Sequence, residues 1–178
     1  TLLEKNYIQT NSVLYRRLQT YVEPANAILP LDWYLHILHA SQGSIQCVSK
    51  DSPMSVYRRH ASGVWWKSSG QEILFWEKQA IPHMYLYQEV AKLVSKDEKA
   101  SQRIRVTTKK TLGDILRVCA KQKGSGLAKR IGQAFPDLVA EYLLDVQESA
   151  DELYVSLLSA NEKMKVLANL ETTNKGYS

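Results

Sequence analysis

Catalytic and metal-binding motifs are missing from this chain of 178 residues. It has no His-Glu-x-x-His pair, no Gly-x-Ser-x-Gly turn, no cysteine–histidine spacing suited to zinc and no Asp-x-Asp pair. Nucleases and polymerases hold divalent ions against phosphate with clustered carboxylates, so this lack argues against those activities. No enzymatic function, no metal site and no cofactor are expected. Cysteine is scarce: Cys47 and Cys119 stand far apart, and reduced, semi-buried thiols are expected rather than a disulfide. No apolar run approaches the roughly 18 residues that a membrane helix needs, so no membrane partner is expected. The opening TLLEKNYIQT carries an acid and no apolar core, which points away from a secretory signal and leaves the cytoplasm as the default. With only five prolines and 23% charged residues, general disorder is not expected either.

What the chain does have is sorted charge. Between Lys99 and Arg130 stand ten basic residues and one acid, Asp114, a net of +9 in a chain whose total is +5. From Asp137 to Glu171 there are eight acids and two lysines, a net of −6, whereas the residues before Lys99 are nearly neutral. A polyanion responds first to a concentrated positive field. The acids at Asp137, Glu141, Asp145, Glu148 and Glu152 recur at three or four residues, the spacing of a solvated helix face or of one that docks a basic partner.

Periodicity predicts an all-α fold, a bundle of about eight helices joined by short turns. The 44% hydrophobic content is enough for a core. Leu3, Tyr7, Leu14, Leu18 and Val22 read as an amphipathic stripe ending at Glu23, before Pro24. Pro30-Leu31-Asp32 opens a second helix with Trp33, Ile37 and Leu38 inside and Gly43 as its stop. His36 and His39 lie one turn apart on it, but no Cys, Asp or Glu accompanies them at ligand spacing, so packing or surface histidines are expected. Ser52-Pro53 caps a third helix that Gly63 ends. A helix over Gln71–Gln79 follows, and Pro82 then starts a longer one bearing Met84, Tyr87, Ala91 and Val94.

The polar, β-branched run Ser101–Lys110 shows no apolar stripe and reads as an extended connection or loop. One helical domain over 1–178 is expected, with this break near 99–110 as the place where two helical halves could divide. Thr111 to Asp114 resembles a capping box for the next helix. Lys123-Gly124-Ser125-Gly126 breaks it, Leu127–Phe135 makes a short one, and Pro136 opens another with Leu138, Val139, Tyr142, Leu143 and Val146 buried. A capping box at Ser149–Glu152 starts the last helix.

Three readings of the Gly124-Ser125-Gly126 turn can be compared. A phosphate loop requires Gly-Lys followed by Ser or Thr behind a strand, whereas Gly126 precedes Leu127 and follows a helix. A helix-turn-helix is suggested by Ala120 and Gly124, four apart. Against it, Ser125 and Arg130 occupy slots that are usually apolar. Plain phosphate contact suits the residues best: backbone N–H groups at a helix start, with Lys123, Lys129 and Arg130 around them. Arg58 and Arg59 lie near Tyr57 and the Trp65-Trp66 pair, a combination that can stack bases but more commonly serves packing.

With the basic stretch Arg103–Arg130 and the Arg58-Arg59 pair, the chain resembles the small helical subunit of type I CRISPR surveillance (Cascade) complexes, the type I-D form above all. The likeness is one of helical layout and charge, since those subunits carry no signature motif. It implies copies stacked beside guide-RNA backbone proteins, cradling target or displaced DNA without reading its sequence, with pairing supplying specificity. The expected function is sequence-independent binding of single-stranded DNA or an RNA–DNA hybrid, within a complex of other subunits and further copies of the chain. Arg103, Arg105, Lys109, Lys110, Arg117, Lys121, Lys123, Lys129, Arg130, Arg58 and Arg59 would take phosphates. A helical adaptor that docks an acidic protein and a helix-turn-helix DNA-binding domain are the alternatives.

Overall fold

The computed structural model describes residues 1–8, 10–47, 72–121 and 126–152. Among them every regular element is helical and there is no strand. A 3₁₀ turn spans Thr10–Ser12, and four α-helices follow: α1 (Leu31–Ser41), α2 (Glu72–Leu93), α3 (Glu98–Lys121) and α4 (Leu127–Ala134). A further helical stretch occupies 136–152. The fold is thus all-α, but these are five helices and not eight. The expected Ser52–Gly63 helix, the Trp65-Trp66 pair and the end of the last helix lie outside the described residues.

The chain falls into two compact units, Thr1–Pro136 and Asp137–Ser178. In the first, Thr1–Pro136, α2 is the centre and packs against α1, α3 and α4. Its buried residues, among them Ile73, Ala80, Met84, Leu86, Tyr87 and Val90, cover more than one face, as a helix with neighbours on several sides requires. Pro82 does not start a helix; it sits inside α2. Proline has no N–H, so the Lys78 carbonyl loses the donor an unbroken helix would supply. The Pro82 carbonyl meanwhile accepts the Leu29 N–H at 3.3 Å, which ties the chain entering α1 to the middle of α2.

The largest departure from expectation is α3. Residues 101–110 are neither extended nor a loop; they form the first half of a 24-residue helix. Asp97 is its N-cap, accepting the Ala100 N–H on Oδ1 at 3.1 Å after a tight turn from α2. Thr111 and Asp114 lie inside the helix and cap nothing. The buried stripe is Ile104, Thr107, Leu112 and Ile115, so threonine takes a place where an aliphatic residue would have announced the helix. Thr108 Oγ1 donates to the Ile104 carbonyl at 2.7 Å, the local bond that lets a hydroxyl sit in a helix interior. Ser149–Glu152 likewise starts nothing, because the helix from 136 runs through it.

Among the described residues of 1–30 there is no α-helix. Leu14 is 99% exposed and Tyr7 and Val22 are exposed as well, whereas Leu3 and Leu18 are half-buried, so the apparent stripe is not one packed face. Side chains of α1 grip this segment instead. Trp33 Nε1 donates to the Leu2 carbonyl at 2.7 Å, Thr10 donates to Asp32 Oδ2 at 2.8 Å, and the Tyr34 hydroxyl donates to the Val22 carbonyl at 3.2 Å. The Tyr15 hydroxyl bonds His36 Nδ1, and its ring stacks on His39 with centroids 4.2 Å apart. Both histidines are therefore taken up by tyrosine contacts. Cys119 is half-buried as expected, but Cys47 is exposed.

In the second unit, Asp137–Ser178, residues 137–152 are described and helical. Leu138, Val139 and Tyr142 are half-buried, whereas Leu143 and Val146, expected inside, are exposed.

Candidate polyanion-binding face

A straight helix turns 100° per residue, so the positions of the α3 cations follow from their numbers. Lys99, Arg103, Lys110, Arg117 and Lys121 are spaced four, seven, seven and four residues apart, which sets all five within about 40° of one another around the axis. Each of the five is exposed. The buried stripe lies on another side of the helix, so core packing presents the cations outward as one row. From Lys99 to Lys121 the row is about 33 Å long at 1.5 Å per residue.

Two cations in the row have acidic neighbours. Arg117 donates to Asp114 Oδ1 at 2.6 Å and Arg103 to Glu4 Oε1 at 3.5 Å, all four side chains about half exposed or more. Pairs of this kind contribute a few tenths of a kcal/mol and are screened by salt, so a phosphate can displace them. Lys99, Lys110 and Lys121 make no ion pair with another described residue. Val106 sits among them, exposed.

The structure does not gather the remaining expected residues into this row. Arg105 and Lys109 are on α3 but face another direction, and each already has an interaction partner. Lys129 lies on the outer side of α4, opposite Leu127 and Ile131, which are fully buried. Arg130, exposed like Lys129, reaches back along the surface to the scaffold: its guanidinium donates to the Glu77 carbonyl of α2 at 3.3 Å. Lys123, Arg58 and Arg59 lie outside the described residues, as does the turn 122–125 on which a helix-turn-helix would depend. Lys99, absent from the expected contact set, belongs to the row; its four-residue spacing to Arg103 is the signal, given that 98–121 is helical.

Behind the row, α3 is seated on α2 through polar groups as well as apolar ones. The Tyr87 hydroxyl is 2.9 Å from Thr111 Oγ1 and 3.2 Å from His83 Nε2. Trp33, Trp76 and Tyr87 ring the His83 imidazole at centroid distances of 5.8, 5.8 and 5.0 Å. Burial drives His83 down to about 4 from the ordinary imidazole value and pushes the Tyr87 phenol up. His36 is also lowered by burial, with Asp32 and the Ile8 backbone acting in the opposite sense. Among the described residues no three His, Cys, Asp or Glu side chains come together as metal ligands could, and no helix is long and apolar enough to cross a membrane.

Comparison with known proteins adds a kinship but no activity. Proteins of Mycobacterium bovis and Mycobacterium tuberculosis, described only as uncharacterized, are 49% identical to this chain over 77 residues. The match takes in 43% of the chain and 21% of each relative, so the chain aligns with about a fifth of their length. No family model matches, and no solved structure does.

Proposed function

We propose that this chain is a non-catalytic helical module that binds the backbone of a nucleic acid, without reading its sequence, through the cationic row of α3. The row itself carries the reading: five outward cations on one rigid helix, aligned over about 33 Å, with the opposite side of that helix committed to the core. Arg103, Lys110, Arg117 and Lys121 are the principal phosphate ligands, Lys99 extends the row, and Lys129 supplements it from α4. Arg105 and Lys109 flank it. Such a surface offers charge to a phosphate backbone, the contact that positions without reading sequence. The finer assignment, a small subunit of a Cascade complex stacked on further copies in the cytoplasm, draws on helical layout and charge alone.

Fluorescence anisotropy with mixed-sequence single-stranded oligonucleotides tests the reading. Binding should be tight at low salt, indifferent to sequence, and weaken with a log–log salt slope of about −0.7 per phosphate engaged. Replacing Arg103, Lys110, Arg117 and Lys121 together by Gln should flatten that slope by about 2 to 3 while leaving the circular-dichroism spectrum unchanged. Affinity that survives the fourfold change would refute the row as the binding surface. A wild-type chain inert toward every oligonucleotide at low salt, yet bound by an acidic protein, would establish the adaptor reading instead.

A further inference from the structure

His83 is buried at the junction of α1, α2 and α3, and the polyanion reading makes no use of it. One ring nitrogen, Nε2, meets the Tyr87 hydroxyl, and Tyr87 in turn meets Thr111 across the α2–α3 interface. The other nitrogen, Nδ1, is buried without any hydrogen-bond partner. Around it stand Trp33 from α1 and Trp76 and Tyr87 from α2, packed edge-on or tilted against the imidazole. Trp33 is itself anchored, its indole N–H donating to the Leu2 carbonyl.

A neutral imidazole suits this surrounding and an imidazolium does not. Protonation would place a second N–H donor at Nδ1, which is buried with no hydrogen-bond partner, and a full charge among buried aromatic rings. The charged and titratable groups of each packed element give no relief. On α1, Asp32 is engaged by Thr10 and by the Trp33 N–H. Asp114 of α3 acts on the Tyr87 phenol, and Tyr87 is the titratable group of α2 that His83 touches. On α4, Arg130 is directed to the Glu77 carbonyl. Burial is what lowers the His83 value.

We propose that His83 and the rings around it form an acid-sensitive latch that joins α1, α2 and α3 while the imidazole is neutral and lets them part when it is protonated. Because Tyr87 links the latch to Thr111, opening it unseats the helix that carries the cationic row.

Acid weakens the latch in a defined direction. The folded-state value is depressed, so between the ordinary imidazole value and about 4 the unfolded chain takes up a proton that the folded chain refuses, and stability falls as pH falls through that window. From pH 7.5 to pH 5, His83 should lower the folding equilibrium constant about 30-fold. Urea unfolding of the full chain at both pH values, for wild type and His83→Gln, measures this. The wild type should lose about 30-fold more than the variant, which keeps an amide donor for Tyr87 but cannot titrate. In parallel, the His83 ring proton of the wild type, followed by NMR, should not titrate between pH 7.5 and 5. Equal pH dependence in the two proteins, or a His83 midpoint near the ordinary imidazole value, would overturn the latch. Should His83→Gln fail to fold, the wild-type titration decides alone.

Discussion

Arg130 and Arg103 are the same residue type in the same basic stretch, and the fold employs them differently. Arg130 donates to the Glu77 carbonyl of α2, more than a turn ahead of Pro82. It fastens α4, an element of only eight residues. Arg130→Ala should therefore lower stability by about 1 kcal/mol, the net value of one such bond, as a shift in the urea midpoint. Oligonucleotide affinity should change by no more than about twofold, whereas Arg103→Ala should weaken binding and reduce the salt slope by about 0.7. Tyr87 is the second residue whose role is set by contacts and not by type. Its hydroxyl serves His83 and Thr111 together, so Tyr87→Phe leaves both with a partner missing and should cost about 1–3 kcal/mol in the same assay. The pair Tyr87→Phe with Thr111→Val should cost less than the two single changes added, because the second removes a group that the first has already stranded.

Helices α1 and α4 were legible in the sequence to within a residue or two, since Pro30, the Gly126 turn and a compact apolar stripe mark their limits. Helix α3 was not. Thr107, Thr108 and Thr111 fill its inner side where periodic analysis counts only apolar residues, and β-branched polar residues argue for extended chain by propensity. Tertiary bonds reverse that preference: Thr108 returns its hydroxyl to the Ile104 carbonyl and Thr111 meets Tyr87. The opposite error befell residues 3–22, where a true period did not become one packed face. There, α1 satisfies the backbone at Leu2 and Val22 from its own side chains, and Leu14 is left in solvent. The candidate face was legible as charge but not as geometry, because a row of cations exists only once 99–110 is helical. The buried side of α3 holds that row in place, so Leu112, fully buried, is its apolar anchor. Leu112→Ala should cost about 2–5 kcal/mol of stability, read from thermal unfolding, and should spare oligonucleotide affinity at temperatures where the variant remains folded.

For the whole molecule, net charge understates the field a ligand meets. The chain totals only +5, yet its outward row concentrates five cations on one edge of the first unit, and the acids after Asp137 belong to the second. Like charges in a row repel, and the fold carries that self-repulsion because the far side of α3 is sealed by Ile104, Leu112 and Ile115. A bound polyanion relieves it and adds binding free energy that the unfolded chain, with its cations dispersed, gains far less. Ligand at about 100 times its dissociation constant should then stabilise the folded chain by up to about 2.7 kcal/mol, a rise in melting temperature of about 5–10 °C. Differential scanning fluorimetry with a single-stranded oligonucleotide in low salt reads this shift. It should shrink as salt rises, since released counterions drive the contact. The chain with Arg103, Lys110, Arg117 and Lys121 changed to Gln should melt as high as wild type or higher without ligand, because the repulsion is gone, and should not respond to the oligonucleotide. A variant that melts lower unliganded would mean these side chains serve the scaffold, and an undiminished ligand shift would mean that phosphate is held elsewhere.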